Sequence, residues 1–313
     1  MALPDPGAAT ARAAPSASSI GRAIIVTADD FGFSREVNAG IVRAHREGIL
    51  TATSLMVAAA ARDEAAALAR ENPNLDVGLH LVVCRGQSVL APNRLAGIVD
   101  PAGNFAESPV AAGMRYFFNR EIRSRLRDEI RAQIETHLKM TGRLNHVDGH
   151  LNFHVHPVIA DLLVELCAEY RVPCMRLPRE PVFTTLALAH DHAARKLVEG
   201  VIFRALSRRA RRKLRDRGIR STDSLFGLHQ SGHLTEAYVL GVIARLPPGL
   251  TELYFHPAAD IGGVPPTLEA QSEVAILTSS RVRAALVDHG VRLTNFVEIA
   301  RAESAAAAAA PNR

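Results

Sequence analysis

The chain has 313 residues, a formal charge of +5, 48% apolar and 22% charged residues, and no tryptophan. It is long enough for one large domain or two small ones, and its composition is that of an ordinary globular protein. No run of about twenty apolar residues occurs, which excludes a spanning helix, and the positive charge is too local for a general nucleic-acid binder.

Residues 1–20 are rich in Ala, Pro and Ser and lack the apolar stretch of a secretory signal, so they read as a disordered arm. The apolar run Ala23–Thr27 predicts a first strand, which delivers Asp29 and Asp30 to a turn loosened by Gly32. Ser34 is placed to cap a helix over Ser34–Glu47 that carries Val37 and Ile41 on one face. Two adjacent carboxylates at a strand end repel each other and lose hydration. A cation nearby relieves this: one carboxylate binds it while the other takes a proton from water. Taken alone, the pair is equally a solvated turn.

Further strands are predicted at Thr53–Val57, Asp76–Val82, Leu144–Val147, Val172–Leu177, Glu252–Phe255 and Val291–Asn295. Helices are predicted at Arg62–Arg70, Glu121–Met140, Pro157–Tyr170, Thr235–Arg245 and Ser272–Asp288. The second of these carries an i, i+4 stripe of Ile122, Leu126, Ile130, Ile134 and Leu138. Strands alternating with helices predict an α/β fold with a parallel sheet. Seven strands without a dinucleotide-binding glycine fingerprint point to a closed or nearly closed (β/α) barrel over residues 21–302. Residues 303–313, an Ala-rich tract, read as a disordered tail.

The polar residues of interest fall at predicted strand ends, which a (β/α) barrel gathers at one face. His80 sits late in the third strand. The segment from His146 to His156 holds four histidines and Asp148, with Gly149 beside His150. Imidazole is a ligand for zinc and similar ions, and a nearby carboxylate fixes its tautomer. Three ligands leave open coordination positions, so some of these histidines must serve elsewhere. His256, before Pro257, suits a general acid or a capping role equally. Arg176 and Glu180 follow the fifth strand and could meet sugar hydroxyls or pair with each other.

Nine Lys or Arg against one acid, Asp216, lie between Arg204 and Arg220. With Val198, Ile202, Leu206, Ala210 and Leu214 at every fourth position, residues 190–220 read as a basic amphipathic helical insertion. Such a helix lies on an anionic membrane surface or packs on the barrel with a solvated basic face. Cys84, Cys167 and Cys174 match no metal spacing and read as buried packing residues in a reducing, cytoplasmic setting.

Four segments together resemble the YdjC-like carbohydrate deacetylases: Thr27-Ala28-Asp29-Asp30-Phe31-Gly32, Gly78-Leu79-His80-Leu81, Asp148-Gly149-His150 and His256-Pro257. The resemblance runs from about Ile24 to Ile299. It implies a distorted TIM-type barrel that binds one divalent metal, Mg2+ or Zn2+, and removes N-acetyl groups from amino sugars. Carried over residue by residue, it implies Asp30, His80 and His150 as metal ligands, Asp29 as general base and His256 as general acid. Arg176-Leu177-Pro178-Arg179-Glu180-Pro181, Ser224-Leu225-Phe226-Gly227-Leu228 and Ser231-Gly232-His233-Leu234-Thr235 resemble the hopanoid-biosynthesis-associated branch (HpnK-like). That branch implies an N-acetylglucosaminyl hopanoid as substrate, and a lipid-borne substrate favours the membrane reading of the basic helix, as a cytoplasmic protein peripheral at the inner face of the membrane. Asn152 stands where a histidine is expected in it, and Ala258 where a glycine often follows His-Pro. A deacetylase of soluble oligosaccharides such as chitobiose, a metal-dependent phosphoesterase and a silent metal-binding scaffold remain as other readings.

Overall fold

Seven apolar segments become parallel strands that follow one another around a barrel in chain order. They are β1 (Arg22–Phe31), β2 (Ala52–Leu55), β3 (Asp76–Leu81), β4 (His146–Gly149), β5 (Cys174–Met175), β6 (Ser224–Phe226) and β7 (Gly249–Phe255). The computed structural model describes residues 21–262 and 266–309. The expected N-terminal arm and residues 310–313 lie outside the described residues. Pairing is continuous from β5 through β4, β3, β2, β1 and β7 to β6. A parallel bridge between Cys174 and Arg220 spans the remaining gap. An eighth strand, β8 (Val291–Thr294), pairs with Arg22–Ile25 of β1, below the point where β2 joins at Thr27.

The distorted (β/α) barrel is therefore as expected, but its seven strands are not the seven predicted. Ser224–Phe226 completes the ring, and three residues are too few to show a period. Val291–Thr294 stands beside the ring. Ile24, Ile25 and Val26 are fully buried, as in strands covered on both faces. The helices Arg35–Glu47, Arg62–Glu71, Arg123–Thr141, Pro157–Glu169 and Glu236–Ala244 match their predicted spans closely. Ser34 caps the first, its side chain accepting from the Val37 N–H at 3.3 Å.

Three helical features differ from expectation. The segment predicted as Ser272–Asp288 is two helices, Leu268–Leu277 and Ser280–Asp288, because Ser279 starts the second as its N-cap. Pro109–Phe118 and Val182–Leu188 are helices that sequence periodicity did not mark. The last helix, Phe296–Ala309, extends through most of the Ala-rich tract, in keeping with the high helix propensity of alanine. Among the described residues no helix is long and apolar enough to cross a membrane. All three cysteines are buried and unpaired with one another.

Two interior histidines give the fold an acid sensitivity. Burial pushes His137 down to about 3 and His154 down to about 4, so both are neutral in the folded protein. Once unfolded they protonate near their ordinary value of about 6.5. The unfolded chain then holds more protons, so stability present above pH ~6.5 falls as pH drops toward those folded values. Each contributes a slope of up to about 1.4 kcal/mol per pH unit in that window. Urea midpoints measured across it should decline steadily; a flat profile between pH ~6.5 and ~4 would show that these rings are not buried neutral.

Candidate active site

Strand register assembles the site. Ala28 of β1 pairs with Phe255 of β7, so the next residues, Asp29 and His256, emerge side by side. His80 of β3 pairs with Asp148 of β4. Val147 pairs with Met175, which sets Asp148 beside Arg176. Five strands thus bring their polar residues to the C-terminal rim of the barrel, where (β/α) barrels carry their chemistry.

Consecutive strand residues ordinarily point to opposite faces. Asp29 and Asp30 escape this because β1 shifts register between Ala28 and Phe31, an irregularity that re-aims side chains. Asp30 also has φ 64°, a left-handed conformation that aspartate tolerates better than most residues. Gly32, at φ 91°, completes the turn; a methyl group there would lie 3.2 Å from the Arg62 backbone. Its N–H donates to Asn38 Oδ1 at 2.8 Å, tying the turn to the following helix.

Asp30, His80 and His150 converge with ligand atoms within 4.8 Å of one another. Asp30 Oδ1 lies 3.1 Å from His80 Nε2 and 3.0 Å from His150 Nδ1. The other ring nitrogen of His80, Nδ1, meets Asp148 Oδ1 at 2.8 Å and Ser54 Oγ at 3.0 Å. A carboxylate only accepts, so Nδ1 donates to Asp148 and Nε2, facing Asp30, is the nitrogen at which a metal ion would replace a proton. Burial by itself would lower the His80 pKa, but Asp148, Asp30 and Asp29 together push it up to about 10. Burial by itself would raise Asp30, yet hydrogen bonds from His150 and His80 hold it well below the usual carboxylate range. The cluster thus favours positive charge. The donors of one carboxylate and two imidazoles, open on the Asp30 and His150 side, fit a divalent ion with free coordination positions.

A second group, Asp29, His80 and Asp148, is closer to the barrel centre and fully buried. It does not fit a metal, because a guanidinium already fills it. Arg176 is 1% exposed and grips Asp29 with two hydrogen bonds of 2.6 and 2.8 Å. Its Nη2 also lies 3.0 Å from Asp148 and 2.7 Å from Glu252. The expected contact of Arg176 with sugar hydroxyls is corrected: this residue lies beneath the cluster, enclosed by three carboxylates. Nor does it pair with Glu180. That carboxylate accepts from Thr185 Oγ1 at 2.5 Å, from the His229 N–H and from Tyr238 Oη, and its burial raises its pKa.

His256 stands on the other side of Asp29, its ring edge-on to Tyr254 with centroids 5.5 Å apart. Its backbone N–H donates to Glu273 Oε2 at 2.5 Å, which fixes the chain at that point. Tyr254 lies under the Arg176 guanidinium at 4.7 Å and receives Asn152 Nδ2 at 3.4 Å. Asn152, where a histidine was expected, thus buttresses Tyr254. Ala258 packs against Gly40, where a methyl group would come within 2.7 Å of its backbone.

Of the four clustered histidines only His150 enters the site. His146 stacks on Phe296 at 4.0 Å, His154 holds the Arg176 carbonyl at 3.0 Å, and His156 stacks on Phe153 at 5.4 Å. Glu252 was missed by sequence reasoning. Its one signal is a lone acid in the apolar run Leu250–Phe255, a position that needs a buried cation.

A parallel (β/α) barrel with a carboxylate–imidazole centre fitted to a cation is the class that fold and site define. The chain belongs to the YdjC-like protein family, whose profile matches residues 23–288. The carbohydrate deacetylase of Brevibacillus brevis is 38% identical over 150 residues, a match covering 48% of this chain and 57% of that protein. This chain thus spans little more than half the length of that relative. The Homo sapiens carbohydrate deacetylase is 32% identical over 300 residues, covering 86% of this chain and 88% of that one. In fold, the chain resembles the crystal structure of a candidate cellobiose-phosphate cleavage protein from Enterococcus faecalis V583, with TM-score 0.68 and 23% identity. That likeness covers 89% of this chain and 99% of the other.

Proposed function

We propose that this protein is a metal-dependent carbohydrate N-deacetylase, hydrolysing the acetamide of an amino sugar to acetate and a free amine. The observation that carries the reading is the pairing of an open Asp30–His80–His150 triad with a separate carboxylate, Asp29, held beside it by Arg176. A metal site of purely structural use would not need the second carboxylate. The carbohydrate deacetylases among its relatives support the substrate class.

A divalent ion held by Asp30, His80 and His150 would supply Lewis acidity toward a carbonyl and toward water. Asp29, fixed in direction by the Arg176 fork, accepts the proton of the attacking water as general base. His256, beside Asp29 at the end of the neighbouring strand β7, gives a proton to the sugar nitrogen as it leaves. Asp148 and Ser54 hold the His80 ring in its ligating tautomer. We take the substrate to be an N-acetylglucosaminyl group carried on a hopanoid, on the strength of the Arg176–Pro181, Ser224–Leu228 and Ser231–Thr235 segments.

The test is acetate release by metal-reconstituted protein, with and without chelator, from N-acetylglucosaminyl hopanoid in vesicles and from soluble N,N′-diacetylchitobiose. Chelator-sensitive release from the lipid alone is the expected result. Release from chitobiose alone would retain the deacetylase and discard the hopanoid. Silence on both substrates would return the site to a phosphoesterase or a silent metal-binding scaffold.

A further inference from the structure

The helix Ala193–Asp216 does not pack as an amphipathic stripe of period four. Ala210 and Leu214 are buried, but Val198 and Ile202 face solvent at 60% and 50% exposure. Val201, on the outward face, is 70% exposed. Its close neighbour is the helix Val182–Leu188, which approaches at Gly200, where a methyl group would lie 3.3 Å from Val182 Cβ. That second helix exposes Phe183 at 78%. Four valine, isoleucine and phenylalanine side chains thus stand unpartnered on one helix pair.

The other half of the long helix is basic on the same outward side. Arg204, Arg208, Arg212 and Arg215 continue the exposed positions at helical spacing, and none has a carboxylate partner among the described residues. Arg209, Arg211 and Lys213, by contrast, are ion-paired to Asp161 or Asp223. Arg208, Arg211, Arg212 and Arg215 line one cleft. A second cavity of about 210 Å³ opens between Pro178–Pro181 and Gly200–Arg204, lined by Arg179 and Arg204, and Arg179 Nη1 is buried there without a partner.

We propose that the outward face of helices Val182–Leu188 and Ala193–Asp216 docks the protein on an anionic lipid membrane. The apolar half enters the boundary between headgroups and acyl chains, while the arginine row and cleft take lipid phosphates. Charge alone would suit any polyanion, and Phe183 could stack on a base, but nucleic acid offers no apolar phase for Val198, Val201 and Ile202 to enter. The surface also stands near the site. The long helix touches the turn His150–Val155, and the helix Pro109–Phe118 packs on the same turn through Gly113, itself exposing Phe117 and Phe118. Docking would therefore bring the rim that holds His150 toward the lipid surface. This deepens the lipid-linked reading of the substrate, but membrane binding is measured without turnover.

The full chain is sedimented with vesicles of phosphatidylcholine alone and of phosphatidylcholine with phosphatidylglycerol. Wild type should co-sediment with the anionic vesicles, and added salt should weaken this. The variant Arg208→Ser/Arg212→Ser/Arg215→Ser should lose on the order of 100-fold in affinity, at roughly five-fold per basic residue. Phe183→Ser/Val198→Ser/Val201→Ser should also bind less, with less effect of salt on what is lost. Circular dichroism confirms that these surface variants are folded. Equal binding to both vesicle types, or no binding by wild type, overturns the proposal; so does undiminished binding by the apolar variant, which would mark a polyanion site. Acetate release from N-acetylglucosaminyl hopanoid dispersed in neutral detergent, without vesicles, reads the deacetylase separately, so failure of one leaves the other measurable.

Discussion

Asp29→Asn should lower kcat by about 10²- to 10⁴-fold while leaving metal content unchanged, the range expected when a general base is removed. The substitution is nearly isosteric, but its NH2 group faces one of the two Arg176 N–H groups that Asp29 accepts from. Asparagine keeps the shape of Asp29 and one acceptor for Arg176, and Arg176 still faces Asp148 and Glu252. The guanidinium is therefore not stranded, and the fold should survive. Asp30, His80 and His150 do not rely on Asp29 for their mutual contacts. His80→Ala should behave differently and lose both metal and turnover, because it removes a ligand and leaves Asp148 without its imidazole partner. Metal content by elemental analysis, measured beside acetate release, separates the two. Near-normal turnover by Asp29→Asn would remove Asp29 from the role of base and shift attention to His256.

The parts of the site that sequence made legible are those that lie next to each other along the chain or at an obvious strand end. Asp29-Asp30 announces itself because two adjacent carboxylates after an apolar run need a reason. His80 and His150 stand at predicted strand ends, and the barrel brings those ends together. What stayed hidden depends on register between strands far apart in sequence. Asp148 was expected to orient a neighbouring histidine, but its partner is His80, which β-pairing sets directly beside it. Arg176 follows β5 and Glu252 lies in β7, and the bond between them spans the barrel interior. No local pattern reports that a charged residue after β5 turns inward to three carboxylates. The strand β6 was missed for a simpler reason: Ser224–Phe226 is short, and its neighbours give no alternation. The basic helix was legible in existence, but its apolar stripe is half buried and half exposed, since the barrel covers only its C-terminal turns.

Arg176→Met should be the most destabilising single substitution in the site, costing about 3–5 kcal/mol. The guanidinium is 1% exposed and is the cation held among Asp29, Asp148 and Glu252. Removing it leaves buried carboxylates facing each other, which is far costlier than loss of the hydrogen bonds. The pH dependence gives the sign. Burial by itself would raise the Asp148 carboxyl, and Arg176 with His80 instead holds it well below the ordinary range in wild type. A depressed folded pKa contributes stability above the unfolded value of about 3.9, lost only as pH falls through the folded value. In the variant the carboxyls rise, so the folded state gains protons as pH falls. The deficit against wild type should therefore be greatest at alkaline pH and shrink toward pH ~5. Glu252, already raised by burial, should be among the first to protonate. Urea midpoints of both proteins at several pH values provide the measurement. Arg176→Lys, which keeps the charge but not the two-pronged grip on Asp29, should fold nearly as well yet lose turnover, because the base is no longer fixed in direction. A methionine variant as stable as wild type at every pH would mean that the three carboxylates do not share a buried charge, and the account of how Asp29 is positioned would fall with it.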